Sequence, residues 1–141
     1  MYEEYSKQSL PSREYRELLG SAICVFNSNN AFIIENILKN DRENRFNWHE
    51  LIDYTSGELS QPIKETITRT TDTKITTGFS EVIEMRNRII HSFQITDEDG
   101  KQILATKRKN GEQFIITEEY LYDFIKKNGE LSELLHEFRG Y

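Results

Sequence analysis

The sequence predicts a mainly α-helical fold, an antiparallel helical bundle of four long helical stretches with a small antiparallel β-ribbon inserted before the last. Three observations carry this. Apolar residues recur at spacings of three, four and seven in four separate stretches, the stripe of an amphipathic helix. Between about residues 93 and 116 that period changes to two. An Asn110-Gly111 pair then sits between two alternating segments, the strongest short-range hairpin signal. The 141 residues amount to about one domain by the usual prior of ~150 residues per domain, so residues 1–141 are read as a single helical domain.

The first stretch runs from about Ser12 to Lys39. Tyr15, Leu18, Leu19, Ala22, Ile23, Phe26, Ile33 and Ile37 form its stripe. Ser12 suits the N-cap, and Glu14 stands in the first turn near the positive helix end. Asn29 falls near the stripe, where its amide either meets Arg86 or satisfies a neighbouring helix. The polar run Asn40 to Arg45 reads as a loop. A second stretch starts near Asn47 with Trp48, Leu51 and Ile52 and breaks at Gly57. Ser60, with Pro62 just behind it, marks a new start carrying Ile63 and Ile67.

Seven of the twelve residues from Thr66 to Thr77 are threonine. Their β-branching and competing hydroxyls weaken a helix, so this segment is expected to be an irregular helix end and a mobile connection closed by Gly78. The third long helix is expected from Phe79 to about Phe93. A turn at Asp97-Glu98-Asp99-Gly100 and a second at Asn110-Gly111 then fold the ribbon. Thr117 caps the final helix, with Glu118 and Glu119 in its first turn, and Asn128-Gly129 is a candidate kink.

Lys plus Arg number 18 against 24 Asp plus Glu, a net charge of −6. That acidity argues against a surface that grips nucleic acid all over, while leaving room for a local basic site. The longest apolar run, Ala22 to Phe26, falls far short of the ~18 residues of a membrane span, so no membrane partner is expected. The opening Met1 to Lys7 is polar, with no apolar stretch behind it, and a cytoplasmic location is expected. One cysteine, Cys24, forms neither a disulfide framework nor a cysteine-based zinc module. The seven glycines write neither a dinucleotide fingerprint nor a phosphate-binding loop. His49, His91 and His136 lie far apart in sequence, and neither metal nor cofactor is expected.

Glu84-Met85-Arg86-Asn87-Arg88-Ile89-Ile90-His91 stands apart. With Phe79 as zero and ~100° per residue, Val82, Ile83, Ile89, Ile90 and Phe93 fall within ~80° of the zero line, and Arg86 falls at ~340°, inside the apolar stripe. Burying an unpaired guanidinium is costly, so Arg86 needs a partner: a carboxylate on another helix, a helix C-terminus or an anionic substrate. His91 lies ~140° from Arg86, too wide for two groups of one straight helix to meet on a small target. A second copy of the chain would close that gap. Arg88 falls at ~180°, on the face expected to be solvated.

Arg86-Asn87-x-x-x-His91 resembles the signature of the HEPN superfamily: arginine, a polar residue, then histidine after a short apolar spacer. The resemblance rests on these eight or so residues together with chain length and the bundle reading. It implies a homodimer in which paired Arg-His motifs form a metal-independent endoribonuclease site, with RNA as substrate. Arg86 would contact the scissile phosphate, His91 would transfer protons, and Asn87 would orient one of them or bind the RNA. It also implies a toxin or effector of a bacterial defence or toxin–antitoxin system, with an antitoxin or regulatory protein as partner. In one branch of the family a tyrosine two residues after the histidine receives a nucleotide modification; here that position is Phe93. The alternative is a non-catalytic HEPN-like module that binds a protein partner. A third reading, a plain helical scaffold, makes the match accidental.

Lys101, Lys107, Arg108 and Lys109 lie in one segment without an acid. Lys107, Arg108 and Lys109 are accordingly candidate phosphate contacts beside Asn87, against the alternative of a solvated hairpin with edge-protecting lysines. Tyr120 and Tyr122 are candidate base-stacking residues, though tyrosines at helical spacing also serve as packing.

Overall fold

Residues 1–140 are described by the structure, a computed structural model. The chain is mainly helical with two small antiparallel sheets. Three long helices carry it: α1 (Arg13–Lys39), α4 (Lys74–Ile90) and α5 (Glu118–Arg139). Between α1 and α4 lie α2 (Trp48–Asp53), a 3₁₀ turn (Gly57–Leu59), α3 (Ser60–Ile63) and a π-helical turn (Lys64–Thr68), with the break near Gly57 and the new start at Ser60 that the sequence predicts, but with each piece far shorter than a long helix. Strands β3 (Phe93–Thr96), β4 (Gln102–Lys107) and β5 (Gln113–Ile115) form the ribbon between α4 and α5. None of the helices described is long and apolar enough to cross a membrane.

Both long-helix caps form where the sequence puts them. Ser12 Oγ accepts from Tyr15 N at 3.1 Å and Thr117 Oγ1 accepts from Tyr120 N at 3.0 Å, each satisfying an otherwise orphaned amide. The threonine-rich segment has the expected irregular helix end, in the π-helical turn, and a short non-helical break at residues 71–73, but the next helix starts earlier than expected. α4 begins at Lys74, where Asp72 Oδ1 accepts from the Lys74 amide at 2.9 Å, so Gly78 lies inside the helix rather than closing a connection. Two threonine hydroxyls donate to carbonyls of the preceding turn: Thr66 Oγ1 to Pro62 O at 2.7 Å, and Thr70 Oγ1 to Ile67 O at 3.0 Å. Up to Thr70 the chain follows a helical path with an altered backbone period, and the helix then breaks at residues 71–73 before α4 begins.

α5 runs unbroken through Asn128-Gly129. Asn128 Nδ2 donates to Phe124 O at 2.9 Å, and Asn29 of α1 donates to Asn128 O and Oδ1 at 2.8 and 3.0 Å. Asn29 therefore serves the neighbouring helix, not Arg86. This pair, together with Tyr15 Oη donating to Ile116 O at 2.6 Å and Phe32 against His136 at 4.8 Å, runs α1 and α5 side by side in the same direction. α4 runs opposite to both, with Lys127 on Glu81 at 3.1 Å and Tyr120 Oη 3.5 Å from Met85 O. The α1–α5 pair thus departs from the antiparallel expectation. Because the segment between α1 and α4 is broken into short turns, α4 alone makes the return stroke, and α5 comes back along α1.

Each long helix contributes one phenylalanine to the centre of the core. Phe26 stacks on Phe79 and on Phe124, both with ring centroids 6.2 Å apart. All three are essentially fully buried, and each such ring contributes roughly 1.5–3 kcal/mol of burial.

In the ribbon, Phe93 pairs with Ala105 and Ala105 with Ile115, so β4 is the central strand. Asp97 Oδ1 accepts from the amides of Asp99 and Lys101, and Gly100 and Gly111 take the positive φ angles of 79° and 93° that the two turns require. An N-terminal hairpin, β1 (Tyr2–Glu3) with β2 (Gln8–Ser9), has no counterpart in the sequence reading. Glu3 fastens it to α1 through Arg13 and Arg16 at 3.1 and 3.0 Å.

Candidate functional site

α4 presents two separate constellations. Arg86 is half-buried on the side that meets α1, as its phase predicts, and its guanidinium carbon lies 4.9 Å from the centre of the Phe26 ring. Among the described residues no carboxylate pairs with it, and its Nε is shielded from solvent without a hydrogen-bond acceptor. The structural ion pair that would have explained an arginine at this phase is not made. Burial pulls the guanidinium's pKa below its ordinary value, yet an arginine stays charged at neutral pH. What remains is a cation on an aromatic ring, holding unused donors.

His91 is the C-cap of α4, its amide donating to Asn87 O at 2.9 Å. The side chain is exposed, with no hydrogen bond or ion pair among the described residues. No hydrogen bond joins it to Arg86, which is turned toward α1. Three apolar side chains surface at this end of the helix and on the adjoining sheet row: Ile90, Phe93 and Ile115, at 53, 44 and 45 % exposure. Ile90 has the phase of a core residue, but it is the last residue of α4 and leaves the packed interior.

The second constellation lies on the opposite face of α4. Asn87, Arg108 and Lys109, three of the candidate RNA contacts, line one open hollow of about 440 Å³ together with Glu84, Arg88 and Asn110. Neither Arg86 nor His91 lines it. Lys107 is exposed beside it, and its carbonyl accepts a hydrogen bond from Arg88 Nη1. Arg108 is the best anchored of the basic strip: Nη1 donates to Glu84 Oε1 at 2.7 Å, Nε lies 3.4 Å from Glu112, and the guanidinium rests 4.8 Å over Phe114. Tyr120 packs on that same Phe114 ring at 5.6 Å, so it acts here as packing, whereas Tyr122 is exposed.

Sequence reasoning missed Glu84 and Arg88. Arg88 was expected to be solvated; its side chain is only 11 % exposed, because the ribbon folds over the polar face of α4. The available signal was the spacing of Glu84 and Arg88, four apart on one face, opposite a cationic segment of unassigned partner. Comparison with protein-family models, with curated proteins and with solved structures finds no match to this chain.

Proposed function

We propose that this chain is a metal-independent endoribonuclease of HEPN type, working as a homodimer in the cytoplasm as the toxin or effector of a bacterial defence or toxin–antitoxin system. The observation that carries the reading is Arg86: a half-buried guanidinium without a carboxylate, one helical turn and a half from an unengaged histidine. Such a cation is matched by an anion from outside the chain, and a phosphodiester supplies one. The three long helices, with the broken stretch between α1 and α4 counted as the fourth, stand for the helical bundle of that superfamily. The fit to its antiparallel arrangement is partial, given the parallel α1–α5 pair.

In this mechanism a base removes the proton of the ribose 2′-hydroxyl, and the oxygen attacks the adjacent phosphorus. The bond from phosphorus to the 5′ oxygen breaks, and that oxygen takes a proton, leaving a 2′,3′-cyclic phosphate and a 5′-hydroxyl. Imidazoles serve as base and acid, which two copies of His91 supply at a dimer interface. Arg86 stabilises the charge that grows on the phosphate oxygens. Asn87, Lys107, Arg108 and Lys109 bind the strand, the lysines through its phosphates. The exposed Ile90, Phe93 and Ile115 offer the apolar surface on which the second copy sits. The same three side chains favour the second reading, a non-catalytic module in which they receive a different protein.

The test is cleavage of a mixed RNA pool in EDTA. Arg86→Ala and His91→Ala are each expected to lower the rate by at least ~100-fold. Melting should move by only a few degrees in Arg86→Ala, because removing a cation–π contact costs ~1 kcal/mol and strands no carboxylate. Light scattering should return about twice the 16.7 kDa chain mass. Cleavage that survives in both variants would end the assignment.

A further inference from the structure

The hollow between α4 and the β4–β5 turn holds more than phosphate-binding cations. Lys109 and the neighbouring Lys107 make no ion pair among the described residues, but Arg108 is already engaged by Glu84 and Glu112. Its guanidinium plane is fixed between Glu84 and the Phe114 ring, with 36 % of the side chain exposed along the hollow. A guanidinium anchored by carboxylates over an aromatic ring offers its open side as a platform on which a nucleobase stacks.

Beside that platform stands Glu84, 52 % exposed. Arg108 occupies one site on its Oε1, while Oε2 has no partner among the described residues, so the carboxylate that lines the hollow next to the platform keeps free acceptor sites. Asn87 stands one turn further along α4, also lining the hollow, and its side-chain amide makes no hydrogen bond among the described residues. The Nε of Arg88 is shielded from solvent there, with no hydrogen-bond acceptor and Glu84 only 3.7 Å away.

A carboxylate edge selects among bases. Guanine alone carries two N–H donors on adjacent atoms of its Watson–Crick edge, N1–H and the 2-amino group. Adenine and cytosine present a ring nitrogen acceptor there, which would face the carboxylate lone pairs. Uracil offers one N–H between two carbonyls. We infer that the hollow formed by Glu84, Asn87, Arg88, Arg108 and Lys109 is a guanine-binding subsite. The base stacks on Arg108, Glu84 accepts from its Watson–Crick edge, and Lys109 takes the adjoining phosphate. Its role in choosing where RNA is cut rests on the ribonuclease reading above; its binding of the base does not.

The experiment uses the full chain and uridine-rich 2′-O-methyl oligonucleotides with one central guanosine, inosine or adenosine. The methyl group blocks attack by the 2′ oxygen, so fluorescence anisotropy reads binding alone. Guanosine should bind about tenfold or more tighter than adenosine, with inosine, which keeps N1–H and lacks the amino group, between them. Glu84→Gln exchanges an acceptor for a donor and should bring guanosine and adenosine to near-equal affinity, with melting unchanged within a few degrees. Arg108→Ala should weaken all three. Equal affinities in the wild type, or a guanosine preference that survives Glu84→Gln, would overturn the inference. Cleavage of unmodified RNA is measured alongside. Cutting without selective binding overturns the subsite and leaves the ribonuclease reading standing, whereas selective binding without cutting does the reverse.

Discussion

At the level of single residues, Arg86 and Arg88 reverse the ranking that helical phase assigns to them. Phase places Arg86 in the stripe, and the structure does so too, but with only the Phe26 ring against it and no carboxylate among the described residues. Phase places Arg88 in solvent, yet it is nearly buried and ties α4 to the ribbon through the Lys107 carbonyl. Arg88→Ala is therefore expected to cost ~1.5–3 kcal/mol, the range for a hydrogen bond to a charged group, and more than Arg86→Ala; urea unfolding of the two variants side by side gives the order. Periodicity reads one helix at a time. It located Arg86, whose neighbours come from the apolar side, and missed Arg88, whose neighbour is a ribbon folded over the polar side. Glu84 escaped for the same reason: its partner lies 24 positions along the chain.

At the level of elements, caps and turns were the legible part, because each is settled within four residues. Ser12 and Thr117 cap α1 and α5, α2 starts beside Asn47, and the Asn110-Gly111 turn closes its hairpin. Gly78 and Gly129 were misread as punctuation. Both are interior helix positions: a Cβ at 78 would meet Leu131 of α5 at an ordinary 3.5 Å, and one at 129 would meet nothing within 4 Å. Each Gly→Ala change should stabilise the fold by ~0.5–1 kcal/mol, since alanine loses less backbone freedom in a helix. Thermal melting that falls in either variant would show that the added methyl is not accommodated. The break near Gly57 and the new start at Ser60 were legible, but the shortness of the pieces there, the N-terminal hairpin and the early start of α4 were not, since short segments rest on contacts with distant residues rather than on their own periodicity.

For the molecule as a whole, two tyrosines from different helices fasten the end of the ribbon: Tyr15 through the Ile116 carbonyl and Tyr120 through the Phe114 ring. Burial, the largest cause in both, raises each phenol, Tyr120 to about 12. A group whose pKa is raised by folding gives stability that is complete below its unfolded value of about 10 and is lost as pH climbs through the folded value. The melting temperature should accordingly fall across about pH 10 to 12, and Tyr120→Phe should flatten that decline; an unchanged slope would place the loss elsewhere. The stack of Phe26, Phe79 and Phe124 has a consequence of a different kind. Arg86 rides on Phe26, the ring that touches both others. The foundation of the candidate catalytic cation is thus the keystone of the core, and drift that repacks the core also re-aims the arginine. A lineage that tuned this site could not do so independently of its own folding, so freedom to vary falls to the far face of α4, where Glu84 and the ribbon meet.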